Sequence, residues 1–194
     1  MFKSPILVID TETSGFADRD WSRVIEVGAV LIGCDGSEVA AFESFVLPDI
    51  LDERADGALA INHITREMLT DAPDAATVCA RLDSWIVELG DPLVSDRFRP
   101  YASAFNVAFD RPMLARMGWA WDRWASCIMD RASEIMGAEG LLGDRRNGRY
   151  RWPKLSAAAE FFEVPVVGDA HRALTDARTA AGVMCAIRRT SVAA

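Results

Sequence analysis

Two hydrophobic periods alternate along the chain, and their order predicts a sheet that starts antiparallel and continues through alternating helices and strands. Residues 6–10 (ILVID) form a β-branched apolar run ending in Thr-Glu-Thr-Ser14-Gly15, the pattern of a buried strand entering a turn. Residues 24–32 (VIEVGAVLI) read as a second strand. Asp35-Gly36 is a two-residue hairpin signal leading into a third strand over 38–46, which Leu47-Pro48 closes.

Residues 49–75 read as loop and short helix. Helical spacing returns over 76–89 through Val78, Leu82, Trp85, Ile86 and Leu89. A short strand is expected over 101–105, a helix over 109–117 with Pro112 in its first turn, and a further strand over 126–129. The last helices are expected over 155–162 and 172–188, the second burying Leu174, Ala177, Ala181, Met184 and Ile187. The expected architecture is α/β: a mixed five-stranded sheet, antiparallel over its first three strands, with helices packed on both faces. No Pro/Gly/Ser-rich linker interrupts it, so residues 1–194 are expected to form a single domain.

Composition narrows the class. With 51% hydrophobic and 26% charged residues the chain has the make-up of a soluble globular domain, without repeats or low-complexity tracts. The apolar stretch at the N-terminus stops at two acids, too short for a signal peptide or membrane span, so a cytoplasmic location is expected. Cys34, Cys79, Cys127 and Cys185 have no Cys-x-x-Cys spacing and read as small core residues rather than zinc ligands or disulfide partners. The net charge of −8 disfavours a phosphate-binding surface made of Lys and Arg alone. An enzyme holding its substrate through bound cations and a local basic patch escapes that objection.

Three short motifs carry the candidate chemistry: Asp10-Thr-Glu12, Asn106-Val-Ala-Phe-Asp110 and His171-Arg-Ala-Leu-Thr-Asp176. Asp10 and Glu12, two apart on a strand, point to the same face and could grip one cation; the plainer reading is a strand ending in a polar turn. Asp110 and Asn106 could each cap a helix, or Asp110 could sit in the first helical turn facing the strand ends. Asp176 falls at the edge of the apolar stripe of its helix, and His171 lies at or before the helix start. A general base near neutral pH is most often histidine, against the alternative of an exposed loop histidine and a solvated acid. Clustered carboxylates beside apolar segments are costly to bury unless positive charge neutralises them, and two divalent cations would do so.

Taken together, in this order and spacing, the motifs resemble those of the DEDDh (DnaQ-like) 3′-to-5′ exonucleases, which have a ribonuclease H-like fold. Asp10, Glu12, Asp110, His171 and Asp176 match the five family positions one for one, over a stretch from Ile6 to about Met184. Histidine ahead of Asp176 selects the histidine rather than the tyrosine branch. Ile61-Asn62-His63-Ile64-Thr65 is similar to the family's Ile-His-Gly-Ile-Thr segment, with His63 in the usual glycine place.

The resemblance implies a metal-dependent exonuclease releasing nucleoside 5′-monophosphates from DNA or RNA, with two Mg²⁺ or Mn²⁺ ions per active site. Asp10, Glu12 and Asp176 would hold the metal directly, Asp110 would support the site through bound water, and His171 would be the general base. It also implies that Thr13 and the backbone around Gly15 contact the 3′ end, with Ile61, Asn62 and His63 lining the terminal-nucleotide pocket and Asn106 beside it. Phe16 would wedge beside the terminal bases, or else covers the core as an apolar turn residue. Implied partners are single-stranded or frayed 3′ ends and a polymerase or another replication or repair protein. No membrane partner is implied, and a homodimer is compatible, since several family members dimerise.

The segment 143–154 departs from the family's compact pattern. It carries five basic residues (Arg145, Arg146, Arg149, Arg151, Lys154) against one acid, Asp144, interleaved with Tyr150 and Trp152. Such a mixture suits a nucleic-acid strand, with Arg149 and Arg151 as candidate contacts, and equally suits a solvated loop. Trp119, Trp121 and Trp124 are expected to plug the gap between a helix and the next strand. Two rival readings stay open: a catalytically dead nucleic-acid-binding module, and a metal-dependent phosphatase on small phosphate esters.

Overall fold

The computed structural model describes residues 2–90, 99–144 and 148–193. Strand β1 (Ile6–Thr13) pairs antiparallel with β2 (Val24–Ile32), which pairs antiparallel with β3 (Glu38–Phe45); β4 (Tyr101–Ser103) runs parallel to β1 on its other side. The order is β3-β2-β1-β4. All nine residues of β2 are buried, as expected of an apolar run covered on both faces. The β2–β3 hairpin uses a longer turn than Asp35-Gly36 alone suggests. Gly33 N–H donates to the Ser37 carbonyl, and Gly36 takes a φ of 91°, which its missing Cβ permits.

The sheet separates two layers of helices. Short α1 (Asp56–Asn62) and α2 (Arg66–Thr70) follow the 3₁₀ turn Glu53–Ala55 and form a small cluster with Ile25. On one face, Leu7 and Ile9 of β1 meet α3 (Ala75–Glu88) and α4 (Val107–Met117) in a core with Val78, Leu82, Met113 and Leu114. On the other, Val8 packs with α5 (Ile128–Ala138), α6 (Leu155–Phe161) and the long α7 (Ala173–Ala193). The alternation of β1 therefore assigns odd positions to the α3/α4 layer and even positions to the α5–α7 layer. No helix among the described residues is long and apolar enough to cross a membrane.

Several expectations are corrected. Among the described residues the sheet has four strands, not five: residues 126–129 form no strand, and there only the bridge Ala102↔Trp124 continues the sheet beyond β4. Helix α5 starts there instead, because Ile128, Met129, Ala132 and Met136 make a helical stripe against α7. Helix α4 begins at Val107, since the Asn106 carbonyl accepts from both Phe109 and Asp110 N–H; Pro112 thus lies beyond the first turn. Cys185 is buried, but Cys34 sits exposed in the hairpin turn and is not a core residue. The tryptophans behave as fillers: Trp119 is buried and stacks on Trp121 with ring centroids 5.0 Å apart, and its indole N–H donates to Asp83.

Candidate active site

Strand β1 projects its acids toward α7. Asp10 and Glu12 share the even face with Val8, and opposite them in the ladder stand Gly28 and Glu26 of β2. Gly28 has a definite reason to be glycine: a Cβ there would run into the backbone of Ala173 and Leu174. The first turn of α7 thus passes directly over the β2 residue paired with Asp10, which brings Asp176 down to the strand. One ligand atom each from Glu12, His171 and Asp176 lies within 4.8 Å of the others, a grouping that could hold a metal ion. Asp10 does not belong to that tight trio, but the charges of Asp110, Glu12 and Asp176 all act on it.

Asp110 comes from the opposite layer. It lies in the first turn of α4 and is buried, rather than capping the helix. Thr11, the β1 residue facing that layer, donates to Asp110 Oδ1 twice, from its backbone N–H at 3.0 Å and its Oγ1 at 2.8 Å. Asn106 stands at the N-cap position of α4 without a side-chain capping bond.

His171 takes a left-handed conformation with φ 61°. Its side chain is exposed at the rim, within reach of Asp176. Beside it, Glu26 is fully buried and receives Arg172 through Nη2 at 2.6 Å and Nε at 3.1 Å, as well as Ala173 N–H at 3.0 Å. The motifs did not single out Glu26, Arg172, Gly28 or Thr11. The first had a signal: Glu26 is the lone charge in a nine-residue apolar strand, and a carboxylate there must have a partner.

Electrostatics explains why these acids need company. Burial, followed by the charges of Asp176, Glu26 and Asp110, pushes Glu12 up to about 8. Burial likewise raises Asp110 to about 7 despite the Thr11 bonds, which favour its ionised form. Asp10 is driven well above the usual carboxylate range by burial and then by Asp110, and burial raises Asp176 against the pull of His171. The acids crowd together with too little positive charge between them. Their hard oxygen donors fit Mg²⁺ or Mn²⁺, and binding such ions would offset the crowding.

The remaining candidates surround this centre. Thr13 Oγ1 donates to the Gly15 carbonyl, and the Asn62 side-chain amide donates to the Thr13 carbonyl at 3.1 Å, tying the end of α1 to the end of β1. His63 follows in a left-handed conformation at the C-cap of α1, and Ile61 is exposed. Phe16 is 75% exposed, so it does not cover the core. Arg149 and Arg151 are exposed, whereas Arg145 and Arg146 of the basic stretch lie outside the described residues. Tyr150 packs on Gly137 of α5, and the exposed Trp152 donates its indole N–H to Asp130 at 2.7 Å. A groove of about 620 Å³ runs between this segment and α5, whose start is bonded to Ala104 and Phe105 just ahead of Asn106.

Acids from a first strand, a middle helix and a last helix, with histidine ahead of the last, stand in the arrangement that the resemblance to the DEDDh exonucleases implies. Comparison with known proteins agrees. The exonuclease family model matches residues 7–97 of this chain. It is 29% identical over 113 residues to a PolC-type DNA polymerase III from Staphylococcus haemolyticus, an alignment covering 58% of this chain and 7% of that polymerase. The chain thus corresponds to a small part of the curated relatives it matches. Among solved structures, the nuclease domain of 3′hExo, a DEDDh family member bound to rAMP, superposes with a TM-score of 0.69 at 18% identity, covering 97% of this chain and 92% of that one. Escherichia coli exonuclease I in complex with a dT13 oligonucleotide gives 0.68 at 20% identity, covering 97% and 41%. At these identities the structural likeness speaks for the fold.

Proposed function

We propose that this chain is a metal-dependent 3′-to-5′ exonuclease domain that hydrolyses terminal phosphodiesters of DNA or RNA and releases nucleoside 5′-monophosphates. The observation that carries the reading is the approach of Glu12, His171 and Asp176 to within 4.8 Å beside Asp10. Asp10, Glu12 and Asp176 would hold two Mg²⁺ or Mn²⁺ ions, with Asp110 steadying the cluster from the α4 side. Such ions, when bound, offset negative charge on the attacked phosphate and on the leaving oxygen.

This chain's own groups do the rest. An imidazole nitrogen of His171, at the solvent-facing rim, takes a proton from the water that attacks phosphorus. The P–O3′ bond breaks, leaving a 3′-hydroxyl on the shortened strand and the phosphate on the departing nucleotide. Thr13 and the Gly15 backbone are suited to the 3′ end, and exposed Phe16 and Ile61 to the faces of the last bases. Asn62 and His63 frame the same rim, and Arg149 and Arg151 supply positive charge for the strand. The oligonucleotide bound by exonuclease I and the likeness to part of a DNA polymerase support a nucleic-acid strand as substrate and a replication protein as associate.

The test is release of nucleoside monophosphates from 5′-labelled and 3′-labelled oligonucleotides with Mg²⁺ or Mn²⁺. Asp10→Ala and Asp176→Asn should abolish release, and His171→Ala should lower kcat by about 10²–10⁴-fold. Inactivity of the wild type on every DNA and RNA oligonucleotide, or full activity of the two aspartate variants, refutes the reading. Hydrolysis of small phosphate esters with oligonucleotides left intact would favour a phosphatase instead.

A further inference from the structure

A carboxylate sits beneath the catalytic histidine's segment and has no place in the cation trio. Glu26 is paired with Glu12 across the β1–β2 ladder, is fully buried, and turns toward the start of α7. Two successive residues are tied down there. Glu26 accepts from Ala173 N–H and from two nitrogens of Arg172. Arg172 is held from its other sides as well, lying 5.2 Å from the centre of the Phe45 ring and 3.6 Å from Glu43.

The local backbone gives this arrangement a purpose. A left-handed φ is disfavoured for a residue with a Cβ, so the 61° of His171 benefits from neighbours that hold the turn. The residue that follows is Arg172, and it is anchored by the buried Glu26 carboxylate. A buried carboxylate also suits a helix start, where unpaired N–H groups carry partial positive charge.

We propose that Glu26 is a positioning residue for His171 and Asp176: by clamping Arg172 and the Ala173 N–H it fixes the left-handed turn that delivers the imidazole to the acid cluster. The role rests on the nuclease reading for its effect on turnover, but the clamp itself can be observed without it. Glu26 acts through Arg172 and is not among the trio that could hold a cation. Its neutral isostere keeps the size and one acceptor while losing the two-point grip on the guanidinium.

The experiment compares wild type, Glu26→Gln and Arg172→Gln by hydrogen exchange of the backbone amides of 176–178, and by kcat and KM on a single-stranded oligonucleotide with Mn²⁺. Both variants should exchange those amides about tenfold faster or more, with β1 amides unchanged, and should lose about 10–100-fold in kcat at a KM within about twofold of wild type. Unchanged exchange and kcat in both variants overturn the proposal. So does a loss of protection spread equally through β1 and β2, which marks a merely structural ion pair. Should Glu26→Gln fail to fold, Arg172→Gln decides alone, because its side chain is partly solvated. A wild type that cleaves nothing sinks the nuclease reading, and the exchange comparison still decides the clamp.

Discussion

Gly28 faces Asp10 across the β1–β2 ladder, and the space its side chain would fill is taken by the backbone of Ala173 and Leu174. Backbone meets backbone here, so no rotamer change can relieve an added methyl group. Gly28→Ala should therefore lift the start of α7 away from β1 and carry Asp176 and His171 with it. Overpacking of this kind costs about 1–3 kcal/mol, so a fall in Tm of about 2–10 °C is expected, with a larger proportional loss of nuclease activity. Thermal melts and activity of the same preparation check both; normal Tm with normal activity would show that the helix start adapts.

The bond from Thr11 to Asp110 makes a different prediction. Both Thr11 donors favour the ionised Asp110 carboxylate, partly opposing the burial that raises it to about 7. Thr11→Val keeps the shape and the backbone donor but removes the hydroxyl. The metal-free variant should thus titrate Asp110 at a higher pH than wild type, read from its carboxyl carbon by NMR. A midpoint that stays put or moves down contradicts the arrangement.

Much of this site was legible in the sequence because motif and element reinforce each other. Ile6–Asp10 ends in its acids where a buried strand must end, and Asp176 lies on a helix whose alanine stripe fixes its facing. What escaped was tertiary. Thr11 and Gly28 look ordinary in the chain, and their roles come from the closeness of α4 and α7, which no local pattern carries. The strand expected over 126–129 failed for a related reason: a short apolar run fits either period, and packing against α7 decided for the helix.

Stability of the metal-free protein should depend on pH in an unusual direction. A carboxyl with a raised folded pKa keeps a proton that the unfolded chain has lost, so its contribution is complete below the unfolded value and disappears as pH rises through the folded one. For Glu12 that window runs from 4.5 to about 8, and for Asp110 from 3.8 to about 7. Tm without metal should therefore fall between about pH 5 and 8. Saturating Mn²⁺ or Mg²⁺ at pH 8 should restore it, by about 5–10 °C at a hundred times the dissociation constant. Melting curves across pH, with and without the cation, give the answer; a metal-free Tm that rises over this range contradicts the raised carboxyls.

Arg149, which lines the α5 groove, and Arg151 are both exposed and can be altered without touching the core. Reversing both to glutamate should raise KM for a long oligonucleotide and flatten the dependence of binding on salt, since each phosphate left without its arginine retains about one counterion. Cleavage of a dinucleotide, which carries a single phosphodiester, should change less. An unchanged salt slope would assign these arginines to solvation alone.

Strand β1 hands Thr11 to one helical layer and Asp10 with Glu12 to the other, so the acid cluster is assembled from both sides of a single strand. The α7 side supplies Glu12, His171 and Asp176, and the α4 side adds Asp110 through Thr11. Loosening either layer takes at least one acid out of the cluster and should weaken its hold on a cation. Cation affinity is consequently a gauge of whole-molecule integrity, and titrating it reports whether both layers are closed at the same time.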